Sequence, residues 1–95
     1  MKITKEMIKK AKKINSVLKT GMVLVSPTDK IYKAKDVQTL EQQYNIEASD
    51  SLECIIECEL SDYNGLCGVY LDSGFVTLRQ LIVEQWEVLQ AIDIH

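Results

Sequence analysis

The stretch Leu52-Glu53-Cys54-Ile55-Ile56-Glu57-Cys58-Glu59-Leu60 decides how the chain is read. Leu52, Cys54, Ile56, Cys58 and Leu60 alternate with Glu53, Glu57 and Glu59, and only Ile55 interrupts the polar side. Successive side chains of a strand point to opposite faces. The alternation therefore predicts a strand over 52–60, apolar inward and acidic outward. Ser61-Asp62-Tyr63-Asn64-Gly65 follows, and Asn-Gly is a strong hairpin-turn signal because both residues accept positive φ. Leu66-Cys67-Gly68-Val69-Tyr70-Leu71 then reads as the antiparallel partner, closed by Asp72-Ser73-Gly74.

Upstream, residues 4–20 read as a helix. Thr4 suits the N-cap and Glu6 the positive end of the macrodipole. Ile3, Met7, Ala11, Ile14 and Leu18 share a face at helical spacing, opposite Lys5, Lys9, Lys12, Lys13 and Lys19. Gly21 is a natural stop. Met22-Val23-Leu24-Val25-Ser26 and Lys30-Ile31-Tyr32-Lys33-Ala34-Lys35 flank the turn residues Pro27-Thr28-Asp29 and predict a hairpin. Residues 36–44 suggest a short helix capped by Asp36 with Val37, Leu40 and Tyr44 inward, or a loop.

Downstream, Thr77-Leu78-Arg79-Gln80 fits a capping box before an apolar run. Leu78, Leu81, Ile82, Trp86 and Leu89 share a helical face. Trp86-Glu87-Val88-Leu89 also fits the start of a strand with Trp86, Val88, Ile92 and Ile94 on one side. The order predicts an α+β fold: a two-layer domain, its antiparallel sheet built from two hairpins and packed against an N-terminal and a C-terminal helix.

At 95 residues, 46% of them hydrophobic and 26% charged, the chain fits a single globular domain over 1–95. Its apolar runs fall far short of the roughly 20 residues that span a bilayer. No apolar signal core follows the opening lysines, so no membrane partner and a cytoplasmic location are expected. The net charge of −3 is strongly divided. Residues 1–35 carry ten lysines against two acids, and residues 36–95 one arginine against twelve acids, so +8 and −11 make up the total. Either the basic helix neutralises the acidic segment inside the fold, or one pole meets a charged partner.

The familiar chemistries find little support. On a strand, Cys54 and Cys58 would stand about 13 Å apart, too far to share a zinc ion with its ~2.3 Å sulfur bonds. Cys67 completes an odd set of three, which reads as reduced thiols rather than a disulfide framework. The only imidazole is terminal His95, so a serine or cysteine nucleophile lacks its usual base. Glu57 and Glu59 form a stripe rather than a cleft. Gly21, Gly65, Gly68 and Gly74 are scattered and form no phosphate loop. No catalytic residue, metal or cofactor is assigned.

Binding is the remaining class. The acidic face of Glu53, Glu57 and Glu59, continued by Asp62 and Asp72, fits a basic protein surface, with Tyr63 and Tyr70 as anchors. It points to a non-enzymatic protein-binding module, a regulator or inhibitor of another protein that handles nucleic acid. The alternative is a nucleic-acid-binding accessory protein whose ridge of Lys5, Lys9, Lys12, Lys13 and Lys19 neutralises phosphates. Scarce arginine and a pI near 5.1 weigh against that alternative. Opposite poles also suit a homo-oligomer, joined head to tail or across an exposed hairpin edge.

Overall fold

Thr4 opens the first helix as its position predicts. In the computed structural model, which describes residues 2–28, 30–46 and 49–90, the Thr4 hydroxyl accepts the Met7 amide at 3.2 Å and caps α1 (Lys5–Leu18). Glu6 lies in the first turn, and Ala11, Ile14 and Leu18 form the buried stripe. Gly21 follows at φ 110°, where a side chain would be strained.

The first hairpin also forms. β1 (Val23–Ser26) pairs antiparallel with β2 (Tyr32–Lys33), with Leu24 opposite Lys33 and Val25 opposite Tyr32. The Lys30 amide donates to the Pro27 carbonyl at 3.3 Å across the turn. Asp29 of that turn lies outside the described residues.

The segment 36–44 divides differently from its expected helix. Asp36 does not cap a helix; Asp36–Gln38 is a strand, β3. The helix α2 (Leu40–Gln43) starts after Thr39. Thr39 Oγ1 accepts the Gln42 amide at 3.4 Å and the Gln42 side chain accepts the Thr39 amide at 2.9 Å. Thr39-Leu40-Glu41-Gln42 is thus the same capping box as Thr77-Leu78-Arg79-Gln80, and it outcompetes a lone Asp36 because it satisfies two end groups reciprocally.

Residues 52–60 do not form the expected strand. These residues lie in a helix, α3 (Ser49–Ser61). Leu52, Ile55, Ile56, Glu59 and Leu60 turn inward at i, i+3, i+4, i+7 and i+8, while Glu53, Cys54, Glu57 and Cys58 are exposed. The apparent alternation comes from counting both cysteines as inward and Glu59 as outward. Ile55, its single exception, belongs to the helical stripe. The expected 52–60 hairpin with 66–71 is therefore absent. β4 (Gly68–Leu71) instead pairs with β3 on one side and with β5 (Gly74–Thr77) on the other, turning through Asp72-Ser73.

Residues 78–90 combine both expectations. The Thr77 capping box opens α4 (Leu78–Val83), with Gln80 N–H donating to Thr77 Oγ1 at 3.1 Å and Thr77 N–H to the Gln80 side chain at 2.9 Å. The helix then stops at Glu84. Gln85 takes the left-handed conformation, φ 58°, while its amide donates to Ile82 O at 3.2 Å and the Trp86 amide to Leu81 O at 2.8 Å. This is a Schellman ending. It releases Glu87–Gln90 as β6, paired antiparallel to β1. Ile92, Ile94 and His95 lie outside the described residues.

The described residues thus hold four helices and two three-stranded antiparallel sheets, β2-β1-β6 and β3-β4-β5, in a small α+β fold. The helices α1, α3 and α4 pack on one another, α1 meets β6, and α4 meets β4 and β5. One apolar core joins them, with Val23, Val25, Leu40, Ile56, Leu60, Val69 and Leu81 fully buried. Among the described residues, no helix is long and apolar enough to cross a membrane.

Candidate functional site

The helical form of 49–61 takes the acidic face apart. Glu53 and Glu57 stay exposed on α3, and Asp62 is exposed just beyond it. Glu59 is only 1% exposed and is removed from any surface. Its Oε1 accepts the Tyr44 hydroxyl at 2.7 Å and the Leu66 amide at 3.1 Å, and its Oε2 accepts the Cys67 amide at 3.3 Å. A buried carboxylate needs such donors. Glu59 is therefore a clamp that holds the chain after α3 against α2. Burial, then the Glu59 hydrogen bond and charge, raise the Tyr44 hydroxyl well above the usual phenol value. Burial and the same carboxylate push the Cys67 thiol up to about 12.

The other expected contacts are dispersed. Asp72 sits on the β4–β5 turn, 3.6 Å from Lys35 Nζ. Tyr63, 74% exposed, lies under the Arg79 guanidinium at 3.9 Å. Tyr70, 43% exposed, packs on Phe75 across the β4–β5 pair at 4.6 Å. The two tyrosines thus belong to separate contacts. The cysteine geometry changes as well. One helical turn brings the Cβ atoms of Cys54 and Cys58 to about 5–6 Å, in place of the roughly 13 Å of a strand. Among the described residues, no set of three or more His, Cys, Asp or Glu is arranged to hold a metal ion.

The divided charge is partly closed inside the fold. Lys12 meets Glu53 at 3.0 Å, Lys19 meets Glu41 at 2.6 Å, and Lys35 meets Asp72. Each pair joins a lysine of the basic segment to an acid of the acidic one. Buried Asn15 supports the second pair. Its Oδ1 accepts the Leu40 amide at 2.9 Å and its Nδ2 donates to Glu41 at 3.1 Å. Burial raises the Glu41 carboxyl, but hydrogen bonds from Lys19 and Asn15 outweigh it and hold the group below its ordinary value.

Of the expected ridge, Lys12 and Lys19 are thus engaged. Lys5, Lys9 and Lys13 are exposed with no ion pair among the described residues. Lys10, absent from the predicted ridge, joins Lys9 and Lys13 on the wall of a groove of about 800 Å³ between α1 and β6. Ile14, Val17, Trp86 and Val88 supply its apolar surface, and Glu6 and Glu87 also line it. The Trp86 ring is half-buried, 5.9 Å from that of Tyr32, and its Nε1 donates to Glu84 at 3.0 Å.

The groove runs along the edge of a sheet. All four residues of β6 line it, and since alternate side chains point to opposite faces, this lining fits a groove that follows the strand's rim. Among the described residues, β6 is terminal in the order β2-β1-β6. The backbone direction follows from the register. Ala34 N–H donates to Val23 O at 3.1 Å, so Val23 faces β2 and Leu24 faces β6. Leu24 is opposite Leu89 and Ser26 opposite Glu87. Hence Glu87 and Leu89 bond toward β1, while the amides and carbonyls of Val88 and Gln90 point away from it, to the open side of the strand among the described residues. The Gln90 side chain donates to Thr20 Oγ1 and anchors the strand beside the end of α1. No sequence motif announces this site; alternating Trp86, Val88 and Gln90 is its only local trace. Set against known protein families, curated proteins and solved structures, the chain matches none.

Proposed function

We propose that the protein is a non-enzymatic binding module that acts on another protein, as a regulator or inhibitor, through the groove between α1 and β6. One observation carries this reading. Among the described residues, three lysines without ion pairs, a half-buried tryptophan and an unpaired strand edge converge on one concave surface. Apolar clefts with a few placed polar groups are the usual form of a recognition site. Three free cysteines fit a cytoplasmic, reducing setting. The exposed remainder of the acidic face, Glu53, Glu57 and Asp62, is a second surface to test.

A nucleic-acid-binding accessory role is the second reading, favoured by the exposed Lys5, Lys9 and Lys13. It leaves the apolar wall and the strand edge without a use.

The experiment is affinity capture with and without nuclease, comparing the parent chain, a groove variant (K9E/K10E/K13E) and a face variant (E53K/E57K). A stoichiometric protein partner that resists nuclease and is lost only with the groove variant supports the proposal. A partner lost only with the face variant moves the site to α3. Capture that vanishes with nuclease favours the nucleic-acid role.

A further inference from the structure

Building on the groove reading above, we infer that its occupant is an extended, acidic segment of another protein, which adds to β6 as a further strand. Three observations select this occupant. The outward amides and carbonyls of Val88 and Gln90 offer a ladder that only another extended backbone matches. Lys9, Lys10 and Lys13 stand along the facing helix without ion pairs among the described residues, although Lys12, Lys19 and Lys35 are all engaged by the chain's own acids. Ile14, Val17 and Trp86 provide apolar contact for the alternate side chains of an incoming strand.

Two other occupants fit less well. A second copy pairing β6 with β6 would be related by a two-fold axis normal to the sheet, which places both α1 helices on one face and opposes their lysine rows. A nucleic acid would use the lysines but has no complement for the strand edge. Glu6 and Glu87 also line the groove, Glu6 one helical turn before Lys9 and Lys10 and Glu87 on the strand face of Leu89, opposite that of Val88 and Gln90, so three lysines against two acids leave the lining with a net positive charge.

The test is selection of binders from a displayed library of random twelve-residue peptides, followed by anisotropy measurements on the enriched peptides. Enrichment of acidic sequences with alternating apolar residues is expected, with at least tenfold weaker binding to K9E/K10E/K13E. V88P removes an outward amide without touching the β1–β6 ladder, and it is expected to weaken binding at least tenfold. Amide hydrogen exchange on the unaltered protein gives a readout that does not depend on any variant folding. The Val88 and Gln90 amides should exchange rapidly in the free chain and at least tenfold more slowly with peptide bound.

Peptides lost with the lysine variant that leave Val88 and Gln90 exchange unchanged overturn strand addition and spare the groove. Enriched peptides that are basic or uncharged overturn the acidic occupant. No enrichment, or binders indifferent to all groove variants, overturns both the occupant and the groove. Displacement of the peptides by a mixed-sequence oligonucleotide at comparable concentration overturns the protein occupant in favour of nucleic acid.

Discussion

Gly65 lies so close to the carboxylate of Glu59 that a Cβ at position 65 would overlap Glu59 Oε2. The glycine of the apparent Asn-Gly hairpin turn is therefore there for close approach. It lets residues 65–67 fold over the end of α3 and present the Leu66 and Cys67 amides to Glu59.

Gly65→Ala is expected to cost about 1–3 kcal/mol through this overlap. Glu59→Ala should cost about 2–4 kcal/mol, because it leaves the Tyr44 hydroxyl and two amides without their acceptor. The double variant should be less destabilised than the sum by at least about 1 kcal/mol, since the shortened side chain at position 59 carries no carboxylate to collide with. Urea unfolding of the four proteins measures the cycle, and additive costs would contradict the shared contact.

Gln85→Gly should stabilise the protein by about 0.5–1 kcal/mol. Gln85 holds φ 58° at the end of α4, a conformation that disfavours residues with a Cβ. The gain is reduced by the larger unfolded-state entropy of glycine. A shift of the urea midpoint in the opposite direction would show that the Schellman ending is not retained in solution.

Stability should fall on the alkaline side. Tyr44 and Cys67 are both raised by burial and by Glu59, so the folded state retains protons that the unfolded chain releases. Their contribution is complete below the ordinary thiol and phenol values of about 8.5 and 10 and is lost as pH rises toward the folded values. Tyr44→Phe should remove the phenol's share of the decline. Glu41 acts at the other end. Its lowered value contributes stability above an ordinary carboxyl value of about 4.3, lost as pH falls through the folded value. Urea midpoints from pH 3 to 11 test both limbs, and a flat profile above pH 9 would contradict the Tyr44–Glu59–Cys67 arrangement.

Thiol labelling separates the helix from the strand at 52–60. In the helix, Cys54 and Cys58 are exposed and Cys67 is buried. A disulfide reagent in native buffer should modify two thiols promptly and the third roughly a hundredfold more slowly, given its burial and raised value. In a strand with its apolar face inward, all three would be protected. One fast thiol or none would contradict the helical face.

Short-range chemistry is legible wherever a signal and its partner are neighbours in sequence. Thr4 three residues before Met7, the Pro27 turn, and Thr77 with Gln80 each carry both halves of a local hydrogen-bonding device. The matching Thr39-Leu40-Glu41-Gln42 box is equally present, though overshadowed by Asp36. Gln85 hides a helix ending that a glycine would have marked.

Local caps, turns and periodicity are enough to specify α1, the first hairpin, the start of α4, the division of charge and the α+β class. Long-range packing settles the rest: that 52–60 is a helix, that Glu59 is buried, that β6 closes onto β1, and that three lysines share a groove with β6, which among the described residues is the terminal strand of its sheet. The physical reason is that a polar side chain can be buried, or an edge left unpaired, only according to what distant residues bring beside it. Tyr44 and the 66–67 amides satisfy Glu59, and α1 lies across the groove from β6 with some seventy residues of chain between them.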